Sequence, residues 1–291
     1  MDIKKIVKKL KNNFKTGRSR NYKILNEINN NLIKLNRHIQ NIKVKNNQPA
    51  KQNNSIDHNG SQPNNNKKSA YHDLNILADK ALDKLINEYE FQTVLDIGCG
   101  EGVHSDIFLE NKKNVIAIDY GHSPYFEKNK NKIDAIIGDF NKYEFKEEYD
   151  CVWCSHLLEH QLNPNIFLNK VNSVLKEGGV LAITVPSIER DNKHCYTTVG
   201  GHVTCWHAGI LLYQLVLAGF DCSEASVKKY PYSRGYNVSV IVKKRKINVL
   251  DKLVFDNGDI KTIQKYLPNS IEFKPNQNDI KFDGNIEELN W

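Results

Sequence analysis

The chain has 291 residues, 26% of them charged and 40% hydrophobic, with a formal charge of +7. That length accommodates one α/β domain with extensions and a full core, and no apolar run approaches the roughly 20 residues that span a bilayer. The charge is uneven: residues 1–70 hold 16 Lys and Arg against 3 Asp and Glu, a net of +13, which leaves 25 against 31, a net of −6, for the remainder. A mildly acidic body argues against a nucleic-acid enzyme, whose body is more often basic.

The N-terminal stretch MDIKKIVKKLKNNF places Ile3, Val7, Leu10 and Phe14 on one helix face among lysines. It lacks the apolar core and cleavage site of a signal peptide. Such a basic amphipathic helix either lies on an anionic membrane through residues 1–15 or packs on protein. Leu25, Ile28, Leu32, Leu35, Ile39 and Ile42 then form an a/d seam of about three heptads. This predicts either a coiled coil, and so a homo-oligomer through residues 21–43, or a helix docked on the body. Residues 46–70 are nearly all Asn, Gln, Lys, Ser and Pro. They cannot bury enough apolar area to offset chain entropy and read as a disordered linker.

From Tyr71 to about residue 245 the pattern is that of an α/β domain, followed by a polar tail over 246–291. A helix is predicted on Leu74, Leu77, Ala78, Ala81, Leu82, Leu85 and Ile86. Strands are predicted at 93–97, 115–119, 135–137, 151–154, 180–185, 226–230 and 238–243, with helices at 165–175 and 206–218. Short apolar strands separated by helices imply a doubly wound, mostly parallel sheet. The six cysteines sit far apart, mostly in apolar segments, and read as reduced thiols of a cytoplasmic protein. Cys151 and Cys154 form Cys-x-x-Cys, but a strand points them to opposite faces.

VLDIGCGEGVHS, residues 94–105, sets Gly98, Gly100 and Gly102 at a strand-to-helix turn, two residues after Asp96. The dinucleotide fingerprint would need glycine at position 103, which is Val103, and no phosphate-loop Gly-Lys-Ser/Thr follows. Asp119 closes the second strand and Asp139 follows the third. An acid after the second strand can accept both hydroxyls of a ribose. An acid one strand over can accept an adenine amine, with Phe140 covering the base.

VLDIGCGEG, IAID, IIGDF, YDCVWCSHLLEH and VLKEGGVLAITVP follow one another in an order that resembles the class I S-adenosylmethionine-dependent methyltransferases. The likeness is greatest to the small-molecule group with ubiquinone-biosynthesis and sugar O-methyltransferases. It implies a Rossmann-like, seven-stranded sheet with one antiparallel strand. It implies that Asp96, Gly98, Cys99, Gly100 and Gly102 cradle the amino-acid part of S-adenosylmethionine. Asp119 would hold the ribose, Asp139 and Phe140 the adenine, Cys154 and Ser155 would pass near the methionine, and Tyr120 would also contact the cofactor.

An alcohol nucleophile needs a base, and the candidates are His156 and His160, which share a face if SHLLEH is helical, and His202. The alternative is that His160 and Glu159 only cap and orient the local helix, and that His207 caps the helix that it begins. Tyr232 and Arg234, in a turn between the last two strands, are candidates for an anionic acceptor. His194, Cys195, His202, Cys205 and His207 are metal-ligand types in irregular spacing, and no metal is expected. The expected activity is methyl transfer to a small hydroxylated acceptor, a sugar or phosphorylated precursor of a surface polysaccharide. The rivals are a lipid-quinone methyltransferase at the inner membrane face and a non-catalytic cofactor-binding assembly module.

Overall fold

A computed structural model describes residues 76–128, 134–187, 201–232, 235–247, 262–269 and 288–291. The predicted basic helix, heptad seam and linker lie outside these residues, as do Arg234, His194 and Cys195.

The elements run α1 (Asp79–Glu88), β1 (Thr93–Ile97), α2 (Val103–Glu110), β2 (Asn114–Asp119), α3 (Pro124–Glu127), β3 (Ala135–Ile137) and β4 (Tyr149–Ser155). A 3₁₀ turn, Leu158–His160, precedes α4 (Pro164–Val174) and β5 (Leu175–Ser187). After these come α5 (Ala208–Leu217), β6 (Ser226–Tyr232), β7 (Gly235–Lys243) and β8 (Glu288–Leu289).

The strand order is β3-β2-β1-β4-β5-β7-β6-β8. The first five strands are parallel, and β7 is antiparallel to both its neighbours. Among the described residues the sheet therefore has eight strands rather than the seven implied by the resemblance. The extra strand comes from the predicted polar tail, where Leu289 pairs with Val227. Its neighbour Asn290 accepts from Ser226 Oγ at 2.6 Å and donates to the Ala225 carbonyl at 3.1 Å.

Alternation along the central strands explains why they read as continuous apolar runs. Leu95, Ile97, Val152, Cys154, Leu181 and Ile183 face α4 and α5, and pack on Phe167, Leu168, Leu211 and Leu215. Val94, Cys151, Trp153, Val180 and Ala182 face the other way, onto Leu82 and Leu85 of α1 and Ile107 and Phe108 of α2. The two cysteines of Cys-x-x-Cys thus sit in different core layers, as period-2 geometry requires. Both faces of the sheet are covered, so the buried positions of the central strands are mostly apolar.

The start of β5 differs from the sequence reading. β5 begins at Leu175 rather than near residue 180, because the chain leaves α4 directly into extended backbone (φ −95°, ψ 132°). The register slips between Tyr149 and Cys151 to absorb the extra residues. At the lower end of the sheet, Asp150 Oδ2 accepts from the Gln92 and Thr93 amides and the Thr93 hydroxyl at 2.8–3.1 Å. Its Oδ1 takes the Lys176 ammonium at 2.7 Å, so one carboxylate ties the starts of β1, β4 and β5.

Candidate functional site

The upper ends of β1, β2 and β4 carry the side chains singled out from sequence. After β1 the chain turns back under itself. Gly98, Gly100 and Gly102 all take left-handed backbone, with φ of 73°, 50° and 72°. A Cβ at Gly98 would lie 3.0 Å from Leu157 Cδ2, so position 98 is restricted both by conformation and by space. The Gly98 amide donates to the Ile118 carbonyl at 2.8 Å, which fastens the turn to the end of β2.

Asp119 organises this region. Its Oδ2 accepts the Gly100 amide at 3.0 Å and its Oδ1 accepts the Gly121 amide at 2.9 Å. The carboxylate therefore bridges the glycine turn and the bend after β2. Each oxygen keeps a lone pair for a further donor. Asp96 lies beneath the turn, 1% exposed, and accepts the Ser105 hydroxyl at 2.6 Å. Burial pushes its carboxyl up to about 7, against the pull of the Ser105 hydrogen bond and helped by the nearby Asp119. Cys99 is buried beside it, with its thiol held above the ordinary range by burial.

One strand over, Asp139 accepts the Asn141 amide at 3.0 Å. Lys142 approaches its other oxygen at 3.6 Å. Phe140 does not lie where a base cover is needed. Its ring is 5% exposed and packs in the core between Phe145 and Phe167, with centroids at 5.7 and 5.2 Å. The exposed apolar surfaces next to the two acids belong instead to Tyr120, 51% exposed, and Ile137, 59% exposed. Ile137 was not singled out from sequence. Its signal is an isoleucine closing a strand at a carboxyl-end crevice, where ligands bind in such sheets.

The fourth strand ends on Cys154, which is buried in the core, and Ser155, whose Oγ is buried with no hydrogen-bond partner among the described residues. SHLLEH does not form the helix that would set His156 and His160 on one face. His156 takes left-handed backbone (φ 53°) and only 158–160 make a 3₁₀ turn. His156 is enclosed. Its Nε2 donates to Asn237 Oδ1 at 3.0 Å, its ring meets Tyr232 edge-on at 5.5 Å, and burial lowers its pKa to about 4. Asn237, on β7, was missed from sequence, although a lone Asn amid the apolar residues of a strand is itself a signal.

His160 and His202 meet edge to face at 4.9 Å. His160 Nδ1 donates to the Gly201 carbonyl at 3.2 Å, and the Val203 and Thr204 amides donate to the Glu159 carbonyl at 2.9 and 3.2 Å. The 201–206 segment is thus stitched to the 3₁₀ turn, and it carries His202 to the side of His160. Burial, and then the nearby His160, lower the His202 pKa below its ordinary value. His207 caps α5, its Nδ1 accepting the Ile210 amide at 3.3 Å. Of the predicted acceptor contacts, Tyr232 faces His156; on the same strand Tyr230 is buried on Ser239.

A groove beside this segment is lined by Leu162, Ile166, Thr204, Trp206, Ile210 and Gln214. Leu162 is 82% exposed, and Ile166 and Ile210 are also open to solvent. No described helix is long and apolar enough to cross a membrane.

Residues 95–183 match the family described as "Methyltransferase domain". The ubiquinone biosynthesis O-methyltransferase of Pseudomonas fluorescens (strain SBW25) is 28% identical over 116 residues, covering 37% of this chain and 50% of that protein. The enzyme of the same name from Pseudomonas savastanoi pv. phaseolicola is 27% identical over 138 residues, covering 44% and 58%. The chain thus spans about half the length of the curated relatives it matches. Among solved structures, the 1,6-didemethyltoxoflavin-N1-methyltransferase of Burkholderia thailandensis, with its substrate and S-adenosylhomocysteine bound, superposes with a TM-score of 0.48 at 18% identity, covering 61% of this chain and 85% of that one. The N-methyltransferase NodS of Bradyrhizobium japonicum gives 0.43 at 15%, covering 57% and 93%. Residues 95–183 belong to the methyltransferase domain family, within an α/β sheet of the class I S-adenosylmethionine-dependent type.

Proposed function

We propose that the protein is an S-adenosylmethionine-dependent methyltransferase that alkylates a hydroxyl group of a small acceptor. The observation that carries this reading is Asp119, one carboxylate fixed by the Gly100 and Gly121 amides with a lone pair left on each oxygen. That arrangement suits the two hydroxyls of a ribose. The turn fits the rest of such a ligand. Gly98 and Gly100 keep side chains out of it, and the unpartnered Ser155 hydroxyl lies at the neighbouring strand end. Tyr120 and Ile137 supply the walls for a base, and Asp139 its acceptor.

When bound, the cofactor supplies a methyl group already activated on a sulfonium. The chain's task is then to align the acceptor and exclude water. His202, partly open to solvent, takes the proton released by the acceptor hydroxyl. His156 is too enclosed between Asn237 and Glu159 for that role. Tyr232 and Arg234 would contact a sugar or phosphorylated precursor. A second reading, an acceptor with an apolar tail such as a lipid quinone, is favoured by the exposed groove of Leu162, Ile166 and Ile210.

Mass spectrometry of metabolites from cells with and without the gene tests this. The reading expects one compound to gain a methyl group only when the gene is present, and its chemical class decides between the two acceptors. Binding of S-adenosylmethionine without turnover on any acceptor pool would instead mark a non-catalytic cofactor-binding module.

A further inference from the structure

Asp96 is a buried acid with no cation to balance it. Its side chain is 1% exposed and accepts the Ser105 hydroxyl at 2.6 Å. Among the described residues, no lysine, arginine or histidine acts on it. The elements packed around it supply no positive charge either. From α2 comes His104, but its ring turns to Trp153, with centroids 5.0 Å apart, and bonds the Leu77 carbonyl. Burial holds the His104 pKa down to about 4. From α1 come Leu82 and Leu85, while Lys84 is paired with Glu88 at 2.6 Å. From β2 comes a second carboxylate, Asp119, whose charge opposes that of Asp96. From the turn and β4 come the thiols of Cys99, Cys151 and Cys154, all raised by burial and so uncharged.

A carboxyl in such surroundings keeps its proton well above the usual range. Asp119 offers no relief, because its two oxygens accept the Gly100 and Gly121 amides. Asp96 lies two residues before Gly98, under the turn that the amino-acid part of S-adenosylmethionine would occupy. That part carries an ammonium group, which is the charge the surroundings of Asp96 lack. An opposite charge brought against a buried carboxyl favours its ionised form.

We propose that Asp96 holds a proton in the free protein and releases it as the ammonium group of the cofactor arrives, so that binding expels one proton and tightens as pH rises. The carboxyl O–H bond is the one that breaks, and the proton leaves to solvent. This rests on the S-adenosylmethionine reading and adds the condition under which the site loads. In the acid range binding must displace the proton, so affinity should climb by up to about tenfold per pH unit. Once pH passes the Asp96 titration the proton is already gone, and the curve levels. Between about pH 5 and 7 the ammonium group of the ligand stays charged, so the slope belongs to the protein.

The test titrates S-adenosylhomocysteine onto the full chain by calorimetry, at about pH 6, in two buffers of different ionisation enthalpy. The expected result is close to one proton released per molecule bound, with the rising affinity described above over about pH 5 to 7. Asp96→Asn keeps an acceptor for the Ser105 hydroxyl but has no proton to lose. It should release none and bind with the same affinity at every pH. Relative to the unaltered chain it should be nearly equal at pH 5 and more than roughly tenfold weaker at pH 7. Circular dichroism verifies that the variant folds, and the buffer comparison on the unaltered chain stands without it. Stoichiometric binding with no proton exchanged, or the same slope in both proteins, would overturn the proton link and leave the cofactor reading intact. Absence of binding at every pH would remove both.

Discussion

Gly98→Ala separates two ways in which a side chain is excluded from the glycine turn. The first is backbone strain. At φ 73° a Cβ meets its own carbonyl, costing about 1–2 kcal/mol. The second is packing, because the new methyl would lie 3.0 and 3.1 Å from the two Leu157 methyls. Forcing an extra methyl into a packed site costs roughly 1–3 kcal/mol. The sum is about 2–5 kcal/mol in the otherwise unchanged protein. Leu157→Ala removes the obstructing methyls and leaves the backbone alone. In that background Gly98→Ala should cost only the strain, about 1–2 kcal/mol. Urea unfolding of the four proteins gives the coupling directly. Equal costs for Gly98→Ala in both backgrounds would refute contact between the glycine turn and the 156–160 segment, and with it the placement of the histidines beside the turn.

Asp150→Ala should destabilise by about 2–4 kcal/mol, because it orphans two amides and a hydroxyl and frees Lys176; chemical denaturation measures this. Asp96 predicts a pH dependence. Its carboxyl titrates near 7 when folded and near 3.8 when unfolded. Between those values the unfolded chain has lost the proton and the folded chain still holds it. Stability therefore falls as pH rises through that window, by on the order of 4 kcal/mol in total, and levels off above it. Asp96→Asn should flatten that slope in unfolding curves taken from pH 4 to 8. Trp291→Ala should cost about 1–2 kcal/mol by calorimetric melting, since its ring covers apolar core and receives Lys84 and Lys228 at 5.5 and 5.6 Å.

Much of the fold was legible because both sheet faces are covered. Strands such as TVLDI and CVWC read as short apolar runs, and the glycines mark the turn between them. The carboxylates were legible because acids at strand ends break those runs. Less was legible where one residue has two possible neighbours. Phe140 adjoins Asp139 in sequence, yet its ring turns inward to Phe145 and Phe167, and the exposed face falls to Ile137. SHLLEH looks helical by spacing, but the left-handed His156 breaks that periodicity. The convergence of His160 and His202 is a long-range pairing that no local pattern encodes. The eighth strand was invisible because two residues give no periodicity.

The most direct measurement is an equilibrium titration of S-adenosylhomocysteine onto the full chain and onto Asp119→Asn, with unfolding midpoints confirming that both are folded. One-to-one saturation is predicted for the unaltered chain. Weakening a charged acceptor for two hydroxyls should cost the variant about 1.5–3 kcal/mol, or more than tenfold in affinity. No binding to the unaltered chain, or equal affinity in the two proteins, would contradict a nucleoside held by the carboxylate at the end of the second strand.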